Sequence, residues 1–428
     1  MKKKSYKNTH INNHKLSPET QMMSYGYDPF LSEGSVKPPV FLTSTFAFKN
    51  AEDGAEFFDV MSGRKPAPEG STGGLIYSRF SHPNAEITED RLALLEGAEA
   101  CNIFGSGMSA ISSILLTFLR PNDVVVHSSP LYGGTETLIS KVLASWNISR
   151  SEFNNGLSLQ AMEDALEQGA AKGKVSLFFI ETPANPTNGM VDFAKVKIAI
   201  DNFEKKHGYR VLTACDNTLL GPVFQKPLQH GIDLSCYSLT KYVGGHSDLV
   251  AGAVMGNKEL LKKIRATRSA FGFHLDPHTS WMIGRSLETL YLRMTHAARS
   301  AEQVADWLVS KQQGKIKIYH PKYMLDAAYQ EALRNQATGY GSTFAFVIEG
   351  GREQAFKFIN ALVVFKSAVS LGGSESLICH PASTTHSGVS QESRKISGVE
   401  EGLIRVSIGL ENPLDLIADL EQAFLAIA

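Results

Sequence analysis

The chain has 428 residues, 42 Lys plus Arg against 43 Asp plus Glu, a formal charge of −1, and 43% hydrophobic against 20% charged residues. That balance excludes phosphate-driven nucleic-acid binding, a polybasic membrane binder and a highly charged disordered tail; the length suits two or three domains with a substantial core. No run approaches the roughly 18 apolar residues of a membrane helix, and the basic start (Lys2, Lys3, Lys4, Lys7) leads into polar Asn8–Glu19, where a secretory leader has its apolar stretch.

Residues 1–75 are polar and interrupted, with Pro38-Pro39 and a Gly/Pro-rich stretch from Gly63 to Gly74, and predict a surface arm. Beyond Leu75, short apolar runs alternate with helical patterns. Ala85–Leu95 and Ser158–Gln168 read as helices; Ala100–Phe104, Asp123–His127, Val175–Ile180 and Arg210–Cys215 read as buried strands. Strands separated by helix-length segments predict an α/β domain over 76–275, a mainly parallel sheet flanked by helices. Pro277–Gln313 reads as one long helix. Strands at Ser342–Ile348 and Leu403–Ile408 and a closing helix at Leu414–Ile427 follow, predicting a smaller α+β domain over 276–428. Cys101, Cys215, Cys236 and Cys379 make no CxxC pair and read as buried free thiols of a cytoplasmic protein.

Three stretches carry chemistry. In Phe104-Gly-Ser-Gly-Met-Ser-Ala110 a strand runs through a Gly-rich turn into a helix, whose free amides and positive end suit a phosphate. A dinucleotide fingerprint also fits these letters, but it needs an acidic residue ending the next strand, and that strand ends in His127-Ser128-Ser129. Asp216 follows an apolar strand and emerges at its C-terminal end, where parallel sheets bind ligands. A turn or N-cap aspartate is the plainer alternative. In Tyr237-Ser-Leu-Thr-Lys-Tyr-Val-Gly-Gly-His-Ser-Asp248, Lys241 sits among small and hydroxyl residues, an environment that favours a neutral nucleophilic amine able to form a Schiff base. Ser238 and Thr240 precede it at a spacing of two and present their hydroxyls to one side. Further on, Arg405 stands among Leu403, Ile404, Val406 and Ile408. A guanidinium there needs a partner, either a substrate carboxylate or an internal glutamate: Glu400, Glu401 or Glu411.

Phosphate cradle, carboxylate and lysine in this order resemble the Cys/Met-metabolism family of pyridoxal-phosphate enzymes. Ser-Leu-Thr-Lys-Tyr around Lys241 is similar to the family's lysine signature, and the likeness runs from about Val40 to the C-terminus. The resemblance implies fold type I, pyridoxal 5'-phosphate as cofactor, and a homotetramer of active dimers. It implies that Lys241 holds the cofactor and shuttles protons, and that Asp216 pairs with the ring nitrogen. Gly107, Met108, Ser238 and Thr240 would hold the phosphate. Tyr132 would stack on the ring and assist the leaving group, and Asn185 would lie near the ring's phenolic oxygen. Tyr77 and Arg79 would reach a neighbouring subunit's phosphate. Ser370 and Arg405 would bind the substrate carboxylate. His380 and His386 are read as structural, and no metal site is expected.

The implied reaction is replacement or elimination at the γ-carbon of a sulfur amino acid, in cysteine metabolism or methionine biosynthesis. Methionine γ-lyases carry cysteine where this chain has Gly134, and Ser370-Leu-Gly-Gly-Ser-Glu-Ser376 resembles the cystathionine γ-synthases and γ-lyases; that type is the expectation. Methionine γ-lyase or O-acetylhomoserine sulfhydrylase is the alternative, supported by the shared His380-Pro-Ala-Ser-Thr-Thr-His-Ser387. A catalytically silent binding protein of the same fold is a third. The chain departs from the family at Ser81-His-Pro-Asn84, where Asn-Pro-Thr is usual, and in a longer loop around Gly63–Gly74.

Overall fold

Seven strands pair into one sheet: β1 (Ala100–Phe104), β2 (Asp123–Ser128), β3 (Ser149–Phe153), β4 (Lys174–Glu181), β5 (Leu212–Asp216), β6 (Leu234–Ser238) and β7 (Gly252–Gly256). This computed structural model describes residues 6–67, 74–311, 316–389 and 391–427. Lys2, Lys3 and Lys4, and residues 68–73 of the long loop, lie outside the described residues. The strand order is β1-β7-β6-β5-β4-β2-β3, with β7 antiparallel to both its neighbours and the pairs from β6 to β3 parallel.

Side chains of a strand alternate between faces, so each apolar run feeds two cores. Val125, Leu177 and Phe179 pack on one side with Ile111, Ile114 and Leu115; Val124, Val126, Phe178 and Ile180 pack on the other with Met162, Leu166, Val196 and Ile200. Each phenylalanine of β4 is fully buried and contributes roughly 1.5–3 kcal/mol. The helices supply matching stripes. α4 (Leu159–Ala170) buries Met162, Ala165, Leu166 and Gly169, a three-to-four spacing, and Ser158 caps its first turn through the Ala161 amide. α5 (Phe193–His207) begins at Asp192, which accepts from the Ala194 and Lys195 amides, and ends at Gly208, whose φ of 75° only glycine adopts without cost.

The structure divides the predicted helix Pro277–Gln313 into α6 (Pro277–Leu287) and α7 (Leu290–Lys311). At the break the Glu288 and Thr289 amides turn to the Arg285 and Ser286 carbonyls three residues back, and buried Arg293 braces the corner by donating to the Ser286, Tyr242 and Val243 carbonyls. The same guanidinium thereby anchors the loop that follows Lys241. After α7 a second sheet, in the order β8-β11-β10-β9, comprises β8 (Thr343–Val347), β9 (Lys366–Ser367), β10 (Leu377–Cys379) and β11 (Leu403–Ser407). It packs with Val304 and Leu308 of α7 and Leu416 and Leu420 of α8 (Pro413–Leu425).

The arm is more ordered than its composition predicts. It contains α1 (Ala51–Met61), capped by Asn50 on the Asp53 amide, with α2 (Pro83–Glu96) and α3 (Gly107–Phe118) following. It also exposes apolar side chains, among them Phe30, Leu31, Val36 and Leu42. No helix among the described residues is long and apolar enough to cross a membrane, and all four cysteines are buried and unpaired.

Candidate active site

Strands β4, β5 and β6 end side by side, and the loops leaving them surround a cavity of about 270 Å³. Gly107, Met108, Tyr132, Asn185, Asp216, Ser238, Thr240, Lys241 and Arg405 all line it. Ser370 joins them through its hydroxyl, which accepts from Lys241 Nζ at 3.0 Å. Tyr77 and Arg79 do not line it; Arg79 donates to the Ser269 carbonyl at 2.6 Å and lies over the Phe80 ring.

At one end, Ser106 caps α3 by accepting from the Ser109 amide at 2.9 Å, so the first-turn amides of Gly107 and Met108 are left for another acceptor. A Cβ on Gly107 would stand 2.9 Å from the Ser238 Cβ, and one on Gly252 would stand 2.2 Å from the Ser106 carbonyl oxygen. Only glycines allow helix, β6 and β7 to converge this closely.

In the middle, Asp216 is buried at the end of β5. One oxygen accepts from the Thr218 hydroxyl at 2.6 Å and the Thr218 amide at 3.1 Å. Burial raises its pKa against the opposing pull of Thr218. No basic group pairs with it among the described residues. Thr218 also accepts from the Ser238 amide at 3.0 Å, tying the carboxylate to the lysine strand. Opposite lies Lys241, whose pKa is lowered by burial and then by the Arg405 charge; both disfavour the ammonium and so increase the neutral amine.

At the far end Arg405, 2% exposed, donates to Asn185 Oδ1 at 3.2 Å and to the Val369 and Ser370 carbonyls at 2.8 Å each. Its Nε has no partner. The three glutamates considered as internal partners are engaged elsewhere: Glu400 with Lys317, Glu401 with Arg352 and Arg394, Glu411 with the Ser376 amide and hydroxyl. Among the described residues the guanidinium is thus buried without a counter-ion, a state that an arriving carboxylate relieves. His380 bonds Ser383 and the Glu401 carbonyl, and His386 bonds Thr385; burial and then Arg405 push the His386 pKa down to about 4.

Pyridoxal phosphate fits this donor set. Its dianionic phosphate would be held by the free amides of Gly107 and Met108 and the Ser238 hydroxyl, beside Thr240, whose own hydroxyl donates to the Ala251 carbonyl at 3.2 Å; its ring nitrogen would face the Asp216 carboxylate, and its aldehyde the desolvated Lys241 amine. Two contributors escaped the sequence reading. Thr218 follows Asp216 by two residues, the Asx-type spacing that could have indicated it. Glu181 accepts from the Tyr132 amide at 2.6 Å and the Asn185 amide at 3.1 Å, contacts no local pattern reveals.

The family model described as "Cys/Met metabolism PLP-dependent enzyme" matches residues 19–425. L-methionine gamma-lyase of Pseudomonas putida is 38% identical over 412 residues, covering 96% of this chain and 97% of that protein. Cystathionine gamma-lyase of Saccharomyces cerevisiae is 34% identical, covering 91% and 93%. A crystal structure of cystathionine gamma synthase from Xanthomonas oryzae pv. oryzae in complex with cystathionine superposes with a TM-score of 0.83 at 31% identity, covering 96% and 98%. The chain belongs to the Cys/Met-metabolism family, as a pyridoxal-phosphate-dependent lyase or transferase acting at the γ-carbon of sulfur amino acids.

Proposed function

We propose that the chain is a carbon–sulfur lyase that eliminates the γ-substituent of an L-amino-acid thioether and favours small, uncharged substituents, as in methionine. The reaction consumes one water and yields a thiol, an α-keto acid and ammonium. One observation carries the preference. The cavity's charged side chains are Glu181, taken up by the Tyr132 and Asn185 amides, and Asp216, Lys241 and Arg405, which would face cofactor or α-carboxylate, while Leu219, Val250, Val369 and Leu371 supply apolar wall. A second ammonium and carboxylate, as in cystathionine, meets no further charge among this chain's described lining residues.

Bound pyridoxal phosphate supplies the electron sink for the charge left on carbon when a proton departs. The chain's residues do the rest. Arg405 and Ser370 hold the substrate carboxylate, which presents the Cα proton to Lys241. The Lys241 amine would take that proton, pass it on to the bound cofactor and, neutral again, take the Cβ proton from the same position. Asp216 keeps a proton on the ring nitrogen. The Tyr132 phenol stands at the cavity mouth, where it can protonate the departing sulfur.

A cystathionine-directed reading has its own support. A Cβ at Gly134 would stand 2.7 Å from the Tyr132 ring and 2.9 Å from the Met108 sulfur, so the cysteine of methionine γ-lyases has no room here without moving Tyr132. A substrate panel separates the readings. Keto acid and ammonia from methionine or homocysteine, with cystathionine slower, is the expected result. Faster release from cystathionine favours the second reading. Cystathionine formed only from an acylhomoserine plus cysteine means a synthase serving methionine biosynthesis, and a yellow protein with no turnover means a silent binding protein.

The site residues would be completed by a second chain, within a homotetramer in the cytoplasm. Tyr77 and Arg79 stand outside their own cavity, the arm exposes apolar side chains, and buried free thiols suit a reducing compartment. Mixed oligomers of inactive Arg79→Ala and inactive Lys241→Ala chains should then recover about a quarter of wild-type activity, because some sites take both intact residues. No recovery in verified mixed oligomers contradicts a shared site.

A further inference from the structure

We infer that Glu181 is a positioning residue whose carboxylate holds the Tyr132 and Asn185 loops in place and, beside Asp216, forms a paired acid that loses a proton when the cofactor ring binds. It ends β4, in direct register with Asp216 at the end of β5. Each of its oxygens accepts one backbone amide, Tyr132 through Oε2 at 2.6 Å and Asn185 through Oε1 at 3.1 Å. Those two residues belong to different loops, and one carboxylate joins them. A glutamine of the same shape has only one acceptor and would turn its amide group toward an N–H. The geometry therefore calls for an ionised carboxylate.

Ionisation has an obstacle. Glu181 and Asp216 are neighbouring buried acids, and no lysine, arginine or histidine pairs with either among the described residues. Burial and then Asp216 push Glu181 up to about 8, opposed by the two amides. Asp216 is raised by burial too. The buried thiols Cys215 and Cys236 also feel these carboxylates, but burial keeps both protonated. Near neutral pH the pair consequently retains a proton until a ring cation arrives, and then both acids ionise. A second, polar cavity of about 170 Å³, lined by Ser128, Asn154 and Thr187, backs onto the same carboxylate, giving water a place to take that proton.

The inference rests on the site assignment proposed above, and the test keeps the two apart. Cofactor binding is titrated against pH in Lys241→Ala, so the lysine's own titration drops out, alone and combined with Glu181→Gln or Glu181→Asp. In Lys241→Ala, affinity should rise with pH up to about 8 and then level off. Adding Glu181→Gln should weaken binding roughly tenfold and flatten the rise. Adding Glu181→Asp should keep the rise, because charge remains, but lose visible dichroism, because the shorter chain cannot reach both amides. On the Lys241 background the single changes should lower kcat roughly 10- to 100-fold with KM within a few fold. Glu181 variants with the parent's affinity, pH response and dichroism overturn the inference while leaving the lysine assignment intact. Wild-type turnover in Lys241→Ala overturns that assignment instead.

Discussion

Lys241→Ala is expected to lose turnover by at least about 10³-fold, because it removes both the covalent anchor and the proton carrier for Cα and Cβ. Fold should survive: the side chain is half-buried and makes one hydrogen bond, to Ser370. Thermal unfolding measured beside kcat checks this. The pH behaviour follows from the direction of the shift. Burial and Arg405 lower the lysine's pKa, so the amine is neutral at a pH below the ordinary value of about 10.4. Covalent loading of the cofactor-free protein should therefore rise with pH and level off short of that value. A plateau reached only near it contradicts a desolvated amine.

Arg405→Met keeps an apolar stem and removes the charge, and kcat/KM should fall about 30- to 4,000-fold, the equivalent of roughly 2–5 kcal/mol for a buried, hydrogen-bonded charge pair. The loss should appear mainly in KM if the carboxylate contact is as strong before the transition state as in it. A second effect is diagnostic. Arg405 is one of the two causes that lower the Lys241 pKa, so its removal should shift the loading plateau to higher pH. An unchanged plateau with a large KM would leave Arg405 a carboxylate binder with no influence on the lysine.

Much of this site was legible because the family's chemistry lies in short stretches. Gly107 follows its strand by a few residues, Asp216 ends one, and Lys241 follows another, so adjacency in sequence marks each as a loop at the sheet's C-terminal edge. The strands showed for a related reason: β4 and β5 are buried on both faces and read as largely apolar runs, broken only by Ser176 and Thr213 before their acidic ends. What stayed hidden depends on distant partners. Arg293 braces the corner between α6 and α7 while reaching carbonyls some 50 residues away in the Lys241 loop. The lack of a counter-ion at Arg405 shows only once each glutamate is seen with another cation. α1 was obscured by the Gly- and Pro-rich stretch after it, although Asn50 marks its start. Glu181 illustrates the limit: it stands four residues before Asn185, but its other partner, Tyr132, lies 49 residues earlier in the chain.

The central claim is that one particular lysine holds the cofactor between Asp216 and Arg405. Borohydride reduction of the cofactor-loaded protein, followed by proteolysis and peptide mass mapping, tests it most directly. The account predicts a single pyridoxyl modification, on the peptide carrying Ser238, Thr240 and Lys241, prevented by Lys241→Ala. A pyridoxyl group on any other lysine, or none on a protein that turns over substrate, would contradict it.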